Sequence, residues 1–166
     1  DKFRQPYIAR QVRVTIPVHL APLSWASFQL VEGQVNHRDG IYQNGVIDTP
    51  FVTVSVDQGI TVYDKTTNEA YEDFIQFEDR GDIGNEYIYF QPKGTEPIFA
   101  QLKGYEVLEN NARYAKVLLK HELTIPVSAD EKLDAEQRGI IEFMKRDADR
   151  SEELTTIPLE TEMTVF

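Results

Sequence analysis

The chain has 166 residues, 41% of them hydrophobic, enough to bury one ordinary core. Its 28 acidic against 17 basic residues give a formal net charge of −11, a balance that repels phosphate backbones and anionic bilayers and argues against nucleic acid and membrane as partners. With no cysteine, neither disulfides nor thiolate metal sites can contribute.

No run approaches the roughly 20 apolar residues of a membrane-spanning helix. Asp1, Lys2, Phe3 and Arg4 supply neither an initiator methionine nor a signal-sequence core. The expectation is therefore one β-segment, 1–166, excised from a larger multidomain protein located in the cytoplasm. Residues 1–48 would supply connecting strands and 49–166 the main body. In 12–18, Val12, Val14, Ile16 and Val18 alternate with polar residues and Pro17, which predicts a half-buried strand at a sheet edge. A turn at Ala21 to Ser24 leads to a second expected strand at 25–31. Asp39-Gly40 and Asn44-Gly45 are strong turn dipeptides, so 33–45 reads as an exposed connection holding a small hairpin.

Residues 51–56 and 60–63 flank Asp57, Gln58 and Gly59, a three-residue hairpin loop with glycine at the left-handed position. Asp64 to Asn68 turns the chain again. Strands are expected at 99–108 and 115–127, joined through Glu109, Asn110 and Asn111, with Val117, Leu119, His121, Leu123, Ile125 and Val127 sharing one face. In 130–150, Leu133, Ile140, Ile141 and Met144 recur at helical spacing, although Gly139 costs about 1 kcal/mol relative to alanine there. A last strand is expected at 155–166. The sum is an all-β antiparallel sandwich with one short helical insertion near 130–148.

The stretch 79–92 is the part least explained by packing. Gly81 and Gly84 allow a sharp loop, in which Asp82 and Asn85 can bond nearby N–H groups. Tyr87, Ile88, Tyr89 and Phe90 then read as a strand with both phenols on one face. Four carboxylates, Glu78, Asp79, Asp82 and Glu86, crowd the loop. Acids beside aromatic rings suit a polyhydroxylated ligand, because carboxylates accept from hydroxyls and rings cover C–H faces. The plainer reading is a β-turn with self-capping acids.

Other constellations are weaker. His121 stands alone on an apolar strand face and reads as a core residue, while His19 and His37 have no chelating neighbour. Asp79, Asp82 and Glu86 lack the alternate-position spacing of a calcium loop. Trp25, Tyr87 and Tyr89 could stack on a sugar but equally fit a core.

One resemblance covers essentially the whole chain. Gly59 to Asn68, with its Asp64-Lys65-x-Thr67 turn, followed by Phe77 to Tyr87 and ending near Pro92, resembles the middle β-region of bacterial-type family-38 α-mannosidases. In those enzymes a turn of this form precedes an acidic segment "D-x-G-D-x-G-D-E-Y". Residues 12–31, 125–130, 131–150 and 156–165 resemble what surrounds it. Asn85 stands where the family shows an acid, and Asp48, Thr49, Pro50 and Phe51 replace its Glu-Asn strand entry.

The resemblance implies a supersandwich like that of galactose mutarotase, packed against a catalytic domain of the same polypeptide. That domain would bind zinc and perform retaining hydrolysis of terminal α-mannosides. This chain would be non-catalytic and without cofactor. Asp79, Asp82, Asn85, Glu86 and Tyr87 would face the α-mannoside substrate or the neighbouring domain, and a homodimer is among the expected partners. Two other readings stand beside it: a free-standing carbohydrate-binding or interaction module, and a mutarotase-like enzyme using His121 as general acid.

Overall fold

The computed structural model describes residues 13–14, 16–33, 39–92, 94, 96–139 and 141–166, with only the backbone of Phe143. They belong to two compact units, Asp1–Asn36 and His37–Phe166.

In the first unit the expected strands are absent from the described residues. Val12 lies outside those residues. A single turn is formed, with Ser24 donating from its amide (3.2 Å) and its hydroxyl (2.6 Å) to the Ala21 carbonyl and Leu23 at φ 58°. Val14, Ile16, Val18, Trp25, Phe28, Leu30 and Val31 are exposed. Alternation gives a segment the capacity to bury one face, but a strand also needs a ladder partner, and these residues find none among those described.

The second unit is an antiparallel sandwich. Its first sheet is a meander in the order β1 (Tyr42–Gln43), β2 (Val46–Asp48), β3 (Val52–Ser55), β4 (Thr61–Asp64) and β5 (Glu69–Tyr71). The hairpin turns fall where the sequence places them. Asn44 and Gly45 take φ of 46° and 80°, the pairing that a two-residue primed turn requires, and Gly59 takes 116°. The Asp64 carboxylate accepts from the Thr66 hydroxyl (2.6 Å) and from the amides of Thr66 (2.7 Å) and Thr67 (3.3 Å), which closes the next turn and holds its pKa below the usual carboxylate range.

A two-stranded ladder joins β6 (Glu78–Asp79) to β7 (Ile98–Phe99). The second large sheet has β9 (Ala115–Pro126) between β8 (Gln101–Asn110) and β10 (Leu154–Val165). The β9 alternation is clear: Ala115, Val117, Leu119, His121 and Leu123 are buried. Ile125 is half-buried and Val127 exposed, so the buried face runs out before the strand does. Ala115, Val117 and Leu119 meet Ile47, Val54, Val56 and Ile60 of the first sheet and its hairpin in one core cluster. Each fully buried valine, leucine or isoleucine in it contributes about 1.5–3 kcal/mol. Pro158, opposite Glu122, lacks an N–H, which β10 tolerates at the edge of its sheet.

The connection 127–153 leaves and re-enters that ladder through a zipped base. Val127 N donates to Glu153 O (2.9 Å), Ser151 N to Ser128 O (3.0 Å) and Asp130 N to Asp149 O (2.7 Å), with a bridge between Ala129 and Arg150. Inside it, α1 (Lys132–Arg138) is shorter than the helical spacing suggests. It stops at Gly139, whose amide donates to the Ala135 carbonyl (2.9 Å), and a 3-10 turn follows at Phe143–Lys145. Leu133 is half-buried, whereas Ile141 and Met144 are exposed, and Ile140 lies outside the described residues. The low helix propensity of glycine breaks the apolar stripe in two.

Candidate functional site

Residues 80–92 form a compact loop, and the strand expected at 87–90 does not form. Three of the amides in 87–90 are already engaged. The Asp82 carboxylate Oδ1 accepts from Gly84 N (2.7 Å) and from Phe90 N (2.9 Å), bonding across the loop. The Asn85 side-chain oxygen accepts from Tyr87 N and Ile88 N, each at 2.9 Å. Ile83 N donates to Phe90 O (2.8 Å), and Asn85 and Ile88 exchange backbone bonds of 3.0 and 3.3 Å. A Cβ on Gly84 would stand 1.8 Å from the Ile88 carbonyl oxygen, so no other residue fits this fold-back. Side-chain acceptors have replaced the ladder a strand would have used.

The loop is anchored by residues far away in sequence. Ile83 is 2% exposed, and its carbonyl accepts from Arg146 Nη1 at 2.8 Å. Asp79 forms an ion pair with Arg150 through Oδ2 and Nη1, with side-chain exposures of 26% and 12%. The nearby Glu78 carboxylate takes Arg80 in a forked pair of 3.0 and 3.3 Å, which holds the guanidinium pKa above its ordinary value. Arginines therefore engage two of the loop's four carboxylates, and a third is spent on its own backbone.

The five residues singled out in the sequence separate into two places. Asp79 and Asp82 line one cavity of about 170 Å³, together with Pro92, Ser128, Ala129 and Arg150. Asn85, Glu86 and Tyr87 form the exposed tip, where Tyr87 is 86% exposed and Glu86 makes no hydrogen bond or ion pair among the described residues. Tyr89 and Ile88 are exposed as well, so Ile83, not Ile88, provides the apolar foot. Arg146 and Arg150 were not singled out. Their only signal in the sequence was to be cations in an acidic chain, and spacing does not encode a partner some 60–70 residues away.

The carboxylates of this arrangement accept hydrogen bonds and ion pairs. Among the described residues no group of three or more His, Asp or Glu side chains could hold an ion. The described site residues therefore do not fit zinc.

Residues 1–32 match the family model described as "Glycosyl hydrolases family 38 C-terminal domain 1". A relative from Halalkalibacterium halodurans, named "Putative mannosylglycerate hydrolase", is 31% identical over 179 residues, covering 99% of this chain and 20% of its own length. These likenesses support a segment of a glycosyl hydrolase family 38 protein. Two solved structures agree. An α-mannosidase from Enterococcus faecalis V583 superposes with a TM-score of 0.70 at 32% identity, covering 75% of this chain and 15% of that one. A family-38 glycosyl hydrolase protein from Enterococcus faecalis superposes with a TM-score of 0.72 at 31% identity, covering 80% and 17%. The chain thus spans about a fifth or less of the length of these relatives. Among its described residues no helix is long and apolar enough to cross a membrane, which says nothing of a β-barrel.

Proposed function

We propose that this chain is the supporting, non-catalytic β-region of a zinc-dependent, retaining glycosidase that hydrolyses terminal α-mannosides in the cytoplasm. The observation that carries the reading is the extent of the likeness. A protein named for mannosylglycerate hydrolysis aligns with 99% of this chain, yet the chain accounts for only 20% of that protein. The zinc ligands and the nucleophile are assigned to the remainder of the polypeptide. The sandwich would extend there into a supersandwich that walls the active-site cleft.

Within this role the acidic loop is a contact element. Its foot is fixed by Ile83, Arg146 and Arg150, while Glu86 and Tyr87 stand free at the tip. Those two residues would meet the catalytic domain or the sugar, with Asp79, Asp82 and Asn85 holding them in place. A tip that is stiff before contact loses little entropy on making it.

The test compares this chain with the longer polypeptide that contains it, on an aryl α-mannoside and on mannosylglycerate. The chain alone turns over neither, with or without added zinc, and the longer protein turns over at least one. In the longer protein Glu86→Gln lowers kcat/KM about tenfold, or about 1.4 kcal/mol of transition-state stabilisation. Turnover by the pure chain, lost on mutating an acid within it, would refute the non-catalytic role. A reading frame that stops near both ends would favour a free-standing binding module.

A further inference from the structure

A second cavity, of about 330 Å³, opens beside the β3–β4 turn and is lined by Asp57, Gln58, Asp73, Gln76, Leu102 and His121 among others. Its size lies within the range of small-molecule sites. His121 is 5% exposed on the inward face of β9, edge-on to the Phe77 ring at 5.3 Å between centroids and 77° between planes. Its Nδ1 is buried and has no hydrogen-bond partner among the described residues. Buried side-chain nitrogens are seldom left that way, so the atom points to something the cavity receives.

The remaining lining says what that is. No lysine or arginine is among the lining residues described. Asp57 is held by the Tyr105 hydroxyl at 2.7 Å, while the Asp73 Oδ1 lies over Gly59, 3.4 Å from where a Cβ would stand. Asp73 itself sits at φ 47°, a left-handed conformation that costs a non-glycine residue energy and that its surroundings must hold in place. Burial holds the His121 pKa below its ordinary value, so the ring is neutral at pH 7 and one of its nitrogens can accept. Ile60, Ile75 and Leu102 supply apolar surface in the same cavity.

We propose that this cavity binds a small organic ammonium ion, a primary amine on a short apolar stem, whose N–H groups are received by Asp73 and by His121 Nδ1. The stem lies along Ile60, Ile75 and Leu102. Anions are rejected by the two carboxylates, and a neutral hydroxyl compound forgoes the charge term that an ammonium gains beside Asp73. The site is separate from the acidic loop and does not rest on the mannosidase reading.

The test follows the imidazole nitrogens of the chain, which has three histidines, by long-range proton–nitrogen correlation, assigned with His19→Gln and His37→Gln. Propylammonium chloride is titrated against sodium propionate, glycerol and sodium chloride. The expected result is a saturable shift of His121 Nδ1 with propylammonium alone, at least tenfold weaker in Asp73→Asn. Asparagine tolerates a left-handed φ, so that variant keeps the backbone, and an unchanged amide spectrum verifies it. An absence of saturation, equal affinity in Asp73→Asn, or equal or stronger saturation by glycerol would each overturn the proposal.

Discussion

Replacing Arg150 with methionine tests how the acidic loop is held. The substitution keeps most of the apolar stem and removes the charge, leaving Asp79 with a buried oxygen and no cation beside it. Breaking a fully buried ion pair by deleting one partner costs about 3–5 kcal/mol. The Asp79 side chain is 26% exposed, so water recovers part of that, and a loss of about 2–3 kcal/mol is expected. Adding Asp79→Asn to Arg150→Met should recover about 1 kcal/mol, because the stranded charge is then gone. Urea unfolding at neutral pH measures both variants and their coupling, and a chain of this size should lose about 2–4 °C in Tm per kcal/mol. Hydrogen exchange at the Ile83 amide, which donates to Phe90 O, reports whether the loss is local. A single variant within about 0.5 kcal/mol of the parent, or strict additivity of the two changes, would show that the pair does not fasten the loop.

Asp82→Ala should cost about 1–2 kcal/mol and speed exchange at Gly84 and Phe90, while Asp82→Asn, which keeps an acceptor, costs less than half as much; equal losses by urea unfolding would contradict the capping geometry. His121 has a depressed folded-state pKa, so the unfolded chain binds the extra proton first. The stability this neutral ring contributes is complete above the ordinary histidine value near 6.5 and declines as pH falls from there towards the folded value. Chemical denaturation from pH 7.5 to 5 should show that decline, and His121→Gln should flatten it. Among the described residues the free side of β10 is a long unpaired edge, so the chain should pair with itself at high concentration; sedimentation equilibrium showing a strict monomer would contradict this.

The parts legible in the sequence were those whose instructions are local. Asn44-Gly45 and Gly59 announced their hairpins because only a few residues accept positive φ, and β9 announced its buried face by alternation. Residues 87–90 misled because period-two aromatics suggest a strand, whereas Asp82 and Asn85 offered their amides nearer acceptors. Of the four acids, Asp82 alone caps the loop's own backbone, as the plainer reading expects. The Arg146 and Arg150 contacts were not legible, since an ion pair across such a separation leaves no periodic trace. Trp25 and its apolar neighbours show the opposite limit: their pattern specifies a buried face, and nothing in it names the surface that covers it.

The zipped base of the 127–153 connection gives this fold a place to vary. Because Val127, Ser128 and Asp130 close on Glu153, Ser151 and Asp149, the β9–β10 register is set at the neck and is indifferent to what is threaded above it. Lengthening such an excursion costs only about 0.6 kcal/mol per doubling of loop length. Insertions after Lys145 would pull Arg146 and Arg150 out of step with the loop they hold, and the stretch before it is tied as well, because Arg146 Nε donates to the Ile141 carbonyl (3.3 Å) and the Asp147 amide to the Glu136 carboxylate (2.7 Å). Both flanks of the 3-10 turn are therefore bound into the anchor of the acidic loop, and variation in length is tolerated only where it spares those bonds.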